Sequence, residues 1–192
     1  MKIVELVLDE EQETYIEAIS VVETPAIEME FLALKDQKRF EFKQLDGDKQ
    51  ILIGPILIPN KPIFRKTAKE EYYIYFSRDT VRKASQLFLK QDNHHNTTLE
   101  HNEKLTGLHL VESWIVEDKA NDKSNVYGMD VPKGTWMGSI KVENDKIWND
   151  HVKAGKVKGF SIEGYFADRA EASKKKTEDE ELLNKIINTL KD

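Results

Sequence analysis

The sequence predicts a β-rich α+β domain, and three observations support this class. Many short runs of branched and aromatic residues are bounded by Gly, Pro, Asn or Asp, only two helical stretches lie between them, and no internal repeat is visible. Such runs are typical of strands, and their number favours a sheet-dominated domain, with a small barrel as one arrangement. The 192 residues suit one domain with a tail. We place the domain at residues 1–168 and a charged linker with a short amphipathic helix at 169–192.

The first half of the chain contains only predicted strands and loops. Thr24-Pro25 ends the second strand and Gly54-Pro55 interrupts a later one, because proline cannot donate to a strand ladder. Pro59 to Pro62 forms a loop. The predicted strands are residues 2–8, 17–22, several segments within 28–43, 50–58 and 72–76.

The second half begins with a helix. Ser77 is a good N-cap, Asp79 lies in the first turn, and apolar residues recur at helical spacing as far as Leu89. A second, short helix over 145–154 is closed by Gly155. The predicted strands here are 97–101, 108–117, 135–142 and 159–166, with a loop over 118–134. In the tail, the apolar stripe of residues 182–190 either docks on the domain or binds a partner.

Composition excludes several function classes. The net charge of −6 argues against nucleic acid as the main partner. The chain has no cysteine, which rules out disulfides, thiolate catalysis and cysteine-ligated zinc and fits the cytosol. No apolar run approaches the roughly 20 residues that cross a bilayer. The N-terminus lacks a basic region, so we expect no signal peptide and an intracellular protein that does not enter membranes.

Among the five histidines, His101 is the best candidate for a general base. It ends a predicted strand, where a rigid sheet would hold a titratable imidazole in place. His94 and His95 are adjacent, so we expect their side chains to diverge, and no HExxH spacing is present. We therefore predict no metal site at these histidines.

Ser161 is the candidate nucleophile. Gly159 and Gly164 flank it, which allows close approach of other backbone or of a substrate. The chain leaves a helix over 153–158, where free amides could stabilise an oxyanion. A serine hydroxyl needs a base, and the base needs a third group to orient it. The residues alone leave open whether Ser161 and His101 meet or are merely packed.

Four segments together resemble a known family. They are Leu99-Glu100-His101-Asn102, Val111 to Asp118, Gly134-Thr135-Trp136-Met137 and Gly159 to Gly164, with His101 preceding Ser161 by 60 residues. Over roughly residues 15–166 the chain resembles the XkdF-type phage serine proteases, which are similar to prohead (capsid maturation) proteases and to the herpesvirus assemblins.

The resemblance implies a small β-barrel of assemblin type flanked by helices. It also implies that Ser161 is the catalytic nucleophile and His101 the general base of an endopeptidase without cofactor. The expected substrates and partners are phage scaffold and major capsid precursor proteins, cut through an acyl-enzyme inside the assembling procapsid in the host cytoplasm. Self-association is a further expectation.

One motif stands in an unexpected place. In prohead proteases a segment of the type (E/D)-x-S-L-V-x-x-P-A follows the serine strand, whereas here Ala18 to Ala26 lies near the N-terminus, which suggests a circular permutation. Relatives supply an acid from this segment, and at the matching positions this chain has Ala18 and Ser20. Glu163, Glu17 or no residue then completes the triad, and the last option favours a catalytically silent structural or scaffolding component of the phage head as the alternative function.

Overall fold

The computed structural model describes residues 2–8, 14–26, 32–34 and 49–169. Its strands are β1 (Lys2–Val7), β2 (Tyr15–Val22), β3 (Leu32–Leu34), β4 (Ile51–Leu57), β5 (Ile63–Lys66), β6 (Glu71–Phe76), β7 (Thr97–Leu99), β8 (Glu103–Leu105), β9 (Leu108–Ile115), β10 (Trp136–Val142), β11 (Gly159–Tyr165) and β12 (Ala167–Asp168). The helices are α1 (Arg78–Lys90) and α2 (Asp145–Ile147), the latter continued by a π-helical turn, Trp148–Lys153. Short 3₁₀ turns span Asn93–His95 and Lys123–Tyr127.

The strands form three four-stranded sheets, in the orders β12-β1-β6-β5, β3-β4-β10-β9 and β11-β2-β7-β8. Most neighbours are antiparallel, but β1 pairs with β6 and β2 pairs with β7 in parallel. Each parallel pair joins strands that are far apart in the sequence. In the third sheet, the N-terminal strand β2 therefore lies between β11, which carries Ser161, and β7, which precedes His101.

The three sheets share one apolar core with α1. Ser77 caps this helix by accepting a hydrogen bond from the Thr80 amide, as its position predicts. The helix buries Phe88 edge-on against Trp136 of β10, with ring centroids 5.7 Å apart. Because α1 also contacts β2 and β9, it fixes the second and third sheets relative to each other.

The predicted α+β class is confirmed. The assemblin-type barrel stays a prediction, because the described part of the chain forms no closed barrel. The described strands make three separate sheets with open edges and not one closed ladder. Closure would require β11 or β8 to pair beyond the third sheet, and neither does so among the described residues. The circular permutation stays a prediction. The tail at 169–192, except Arg169, lies outside the described residues, as does most of 28–43.

Most predicted elements are confirmed with shifted ends, and a few need correction. β4 runs through Gly54-Pro55, because the register shifts at Met137, opposite Pro55, and the ladder tolerates the missing donor there. Sequence patterns did not predict the short strands β5, β8 and β12. Trp136 and Trp148 are core residues, whereas Trp114 is half-buried under the Lys123 ammonium.

None of the described helices combines the length and the apolar character needed to span a membrane.

Candidate active site

Ser161 lies in the middle of β11, at the edge of the third sheet. It is 9 % exposed and pairs directly with Ser20 of β2. Residues directly opposite each other on antiparallel strands share a face, so the two serines lie side by side. The Ser161 hydroxyl makes no hydrogen bond with any described residue, whereas the Ser20 hydroxyl contacts the backbone of the next strand. Ser161 therefore differs from a strand serine whose hydroxyl is engaged in a hydrogen bond to neighbouring backbone.

His101 lies in the turn that follows β7, two positions beyond Leu99, whereas the sequence predicted it as the last residue of the strand. β7 runs parallel to β2, with Thr98 opposite Ser20, so the turn stands at the end of the sheet that carries Ser161. The His101 Nδ1 atom is 3.2 Å from Glu163 Oε1. The imidazole is 43 % exposed and the carboxylate 24 % exposed, so solvent reaches the pair but does not surround it.

Glu163 is the carboxylate that contacts the imidazole. It follows Ser161 by two residues, and strand alternation puts both side chains on one face. The Thr98 hydroxyl donates to the same carboxylate oxygen that contacts His101. With Nδ1 held by the acid, Nε2 is the ring nitrogen left to exchange a proton with a nucleophile or leaving group. Glu17, the other acid considered from the sequence, is exposed on β2.

The sheet thus brings together His101 and Glu163 directly and places Ser161 on the face of Glu163. No hydrogen bond joins Ser161 to His101 in the described part of the chain. Catalytic hydrogen bonds are often long without substrate and tighten in the complex. The roles of Ser161 and His101 stay predictions, with a matching acid now beside the base.

Gly164 has the close-approach role that the sequence indicates. A Cβ at this position would meet backbone atoms of β2, the Tyr15 carbonyl oxygen and, at 2.9 Å, the Ile16 Cα. The β11–β2 register shifts between Glu163 and Gly164, which brings the two backbones together at a bulge. The glycine therefore serves the packing of β2 just beyond the Glu163 position.

The prediction that free backbone amides over 153–158 stabilise an oxyanion is wrong. The amides of Lys156 and Val157 donate to the His151 carbonyl at 2.9 and 3.3 Å, and that of Lys158 donates to the Val22 carbonyl at 2.8 Å. Backbone donors that close a helix end and start a strand pair cannot also bind a substrate oxygen without being displaced. Two of these hydrogen bonds close the end of the preceding helix, and the third joins the chain to β2. All are made by backbone groups, so residue types alone do not predict them.

Ser161 also borders a cavity of about 480 Å³ between β11 and the first sheet. Phe160, Ser161 and Ile162 all line this cavity, so it reaches residues from both faces of β11. Charged side chains line part of this cavity, and apolar residues such as Val4, Ile56, Ile74 and Phe76 line another part.

A second cluster of histidines lies at the other end of β7. The ligand atoms of Asp92, His94 and His95 fall within 4.8 Å of one another, so the expectation that the adjacent histidines diverge is wrong. His94 Nδ1 is 3.2 Å from Asp92 Oδ1, and all three residues are surface groups. Such groups could hold a metal ion, and the absence of a cofactor stays a prediction.

Comparison with known proteins assigns the chain to a family. Residues 39–171, more than half of the chain, match a family described as "Putative phage serine protease XkdF". The chain belongs to this family. The matched range contains His101, Glu163 and Ser161, and the resemblance to XkdF-type proteases is confirmed. The match begins after the Ala18 to Ala26 motif, which therefore lies outside it. Neither the curated proteins nor the solved structures give a match.

Proposed function

We propose that this XkdF-type chain is a serine endopeptidase in which Ser161 is the nucleophile, His101 the general base and Glu163 the group that orients the base. The observation that carries the proposal is the 3.2 Å contact between His101 Nδ1 and Glu163 Oε1, on the strand and face that carry Ser161. A serine, a histidine and an acid with these roles recur on unrelated folds and are recognised by their geometry.

In the proposed reaction, Ser161 Oγ attacks the carbonyl carbon of a peptide bond while its proton passes to His101 Nε2. The imidazolium is stabilised by the Glu163 carboxylate and gives its proton to the departing amine, which leaves an acyl-enzyme on Ser161. Water then attacks the ester with the same histidine as base, and the serine is regenerated. No metal or cofactor takes part in these steps.

The position of Glu163 supplies what the permuted motif lacks. Ala18 occupies one of the two positions that match the acid of relatives, and Glu163 is its direct cross-strand partner. Directly opposed residues have Cβ atoms about 4.5–5.5 Å apart. A carboxylate moved from one strand to its neighbour in this way still reaches the same imidazole. This exchange supports a permuted protease that keeps its acid over one that has lost it.

The proposed substrates are the scaffold and major capsid precursors of the phage head, cut inside the procapsid. The family assignment supports a phage protease, and the cavity beside β11 offers a site of mixed polar and apolar lining for substrate side chains. β11 is an edge strand among the described residues, so an extended peptide could run beside it. Alternate side chains of that peptide would then face the cavity.

The first test needs no knowledge of the substrate. The purified chain is treated with a fluorophosphonate probe, which phosphonylates activated serines, and the labelled peptide is identified by mass. We expect one adduct at Ser161, lost in Ser161→Ala and in His101→Ala and kept in Ser139→Ala. Wild-type and Ser161→Ala proteins are then co-expressed with the head precursors. Identical precursor masses from both proteins would contradict the endopeptidase.

A second candidate is a catalytically silent structural component of the phage head. The missing hydrogen bond between Ser161 and His101 favours it. If this candidate is right, the protein co-sediments with scaffold or capsid precursors but leaves them uncut, and it forms no adduct at Ser161. Adduct formation that depends on His101 would exclude it.

A further inference from the structure

The turn that carries His101 has an unusual backbone. Glu100 and His101 have φ angles of +51° and +58°, and the Asn102 amide donates to the Leu99 carbonyl at 3.0 Å. Two central residues with positive φ characterise the type I′ turn, which strongly favours Asn-Gly. Glutamate is disfavoured at positive φ and histidine tolerates it only somewhat better, so this conformation is strained, most of all at Glu100. Strain of this kind persists only where the surroundings hold it in place.

The surroundings here are β2 and the residue after it. The Glu100 amide donates to the Val21 carbonyl at 3.2 Å, the His101 amide donates to Ser20 Oγ at 3.0 Å, and the Glu23 amide donates to Glu100 Oε1 at 2.6 Å. All three contacts join Ser20–Glu23 to the two strained residues. The segment outside the matched family range therefore clamps the turn that presents His101.

Ser20 has a particular place in this clamp. It is fully buried, and its hydroxyl donates to the Thr98 carbonyl at 3.4 Å while accepting from the His101 amide. In the ladder it stands between Ser161 on one side and Thr98 on the other. Thr98 in turn donates to Glu163. Ser20 thus lies beside Ser161 of β11 and beside Thr98 of β7, the threonine that donates to Glu163. Its hydroxyl also contacts the turn that carries His101.

We propose that Ser20 is a positioning residue for His101: its hydroxyl holds the left-handed Glu100–His101 turn in the conformation that aims the imidazole at Glu163 and Ser161. This rests on the proposed function. Without the hydroxyl, the His101 amide loses its acceptor, and the turn can relax toward negative φ. The imidazole then leaves the carboxylate, and proton transfer from Ser161 slows.

The test compares Ser20→Ala with Ser139→Ala, which removes an equally buried serine hydroxyl from β10. We expect Ser20→Ala to slow phosphonylation of Ser161 about 10- to 100-fold, the loss that a misplaced catalytic group causes. With a cleavable precursor, kcat falls by the same factor and KM changes little. Ser139→Ala stays within about threefold of wild type, since it does not contact the turn.

A strain-relieving variant separates positioning from a general packing effect. Asparagine tolerates positive φ, so Glu100→Asn lowers the strain at the first turn residue. In the Ser20→Ala background it should restore part of the rate, even though it gives up the contact of the Glu23 amide with Glu100 Oε1. Ser20→Cys keeps the size of the side chain with a weaker acceptor and should give an intermediate rate, and it serves if Ser20→Ala does not fold.

The readout that does not depend on activity is the NMR signal of the His101 ring. Its nitrogen shifts should change in Ser20→Ala and Ser20→Cys and stay fixed in Ser139→Ala. Unmoved His101 signals together with a wild-type labelling rate would overturn the positioning role. If instead wild type itself takes no label while the His101 signals still move in Ser20→Ala, the clamp is upheld and the protease proposal fails.

Discussion

Two buried serines of this protein, Ser139 on β10 and Ser161 on β11, each have a glutamate nearby, and they differ in what that glutamate contacts. Glu112 accepts directly from the Ser139 hydroxyl and forms an ion pair with Lys123 at 2.6 Å. Glu163 contacts the His101 ring and leaves the Ser161 hydroxyl without a described partner. In the first group, the carboxylate binds both the serine hydroxyl and the lysine ammonium, so its charge is balanced. The second has an acid, a base in the adjoining turn, and a hydroxyl that no described residue bonds.

The difference shows why a serine and an acid do not make a catalytic site. A serine that donates to a carboxylate gains a stabilising hydrogen bond, but a carboxylate is a weak base toward an alcohol. An imidazole between the two can accept the serine proton near neutral pH while the acid stabilises the cation that forms. The Ser139 group therefore serves as a matched control for every substitution at the Ser161 group.

The largest contrast is expected between the two serines themselves. Ser161→Ala should lower precursor cleavage by at least about 1,000-fold, since nucleophile removal in serine proteases costs this much or more. Ser139→Ala should leave the rate within about threefold. The measurement is cleavage of co-expressed head precursors followed by mass spectrometry. Equal losses in the two variants would mean that the sites do not differ in function.

The second contrast concerns the two acids. Glu163→Gln should lower the rate by about 100-fold or more, since it removes the charge that stabilises the imidazolium and the acceptor that fixes its tautomer. Glu112→Gln should leave the rate within about threefold of wild type, since Glu112 does not contact the imidazole. The measurement is cleavage of the co-expressed head precursors, and equal rates in the two variants would remove Glu163 from the mechanism.

The third contrast concerns two glycines near these serines and is measured by urea unfolding. Gly164→Ala brings a methyl group against the β2 backbone, whereas Gly138→Ala meets the side-chain ends of Ile56 and Leu110 at 2.5 and 2.7 Å. Backbone yields less readily than side-chain ends. We expect Gly164→Ala at the upper end and Gly138→Ala at the lower end of the about 1–3 kcal/mol typical of overpacking. If Gly138→Ala were the more destabilising variant, the β2 backbone beside Gly164 would have room to shift. That result would contradict the close backbone contact at the bulge.

The smallest effect is a pH dependence of stability from the Ser139 group. Hydrogen bonds from Lys123 and Ser139 hold the pKa of Glu112 below its usual value, against the opposing effect of burial. A lowered pKa in the folded state stabilises the fold above the ordinary carboxyl value and loses that contribution as the pH falls through the lowered one. Because the side chains are about half exposed, we expect at most about 1 kcal/mol between wild type and Glu112→Gln near pH 7. Unfolding curves at pH 7 and pH 3 should show this difference shrinking with acid.

Local sequence signals predicted much of the fold because they act over a few residues. The Ser77 cap, the helical spacing of α1 and the branched runs of β2, β10 and β11 need no distant partner to be recognised. The short strands β5, β8 and β12 escaped prediction because they exist only through pairing with β6, β7 and β1. The Glu100–His101 turn escaped as well, because its residues are not those that this backbone favours.

The sequence by itself determined the class of fold, the family and the two candidates Ser161 and His101, since these depend on residue identity and spacing. It also kept Glu163 as a candidate acid, because residues two apart in a strand share a face. Only the tertiary structure decided that Glu163, and not Glu17, contacts the imidazole, and that β2 clamps the turn of His101. These contacts join residues that are 62 and 81 positions apart. Strand register sets them, and register is a property of the whole sheet.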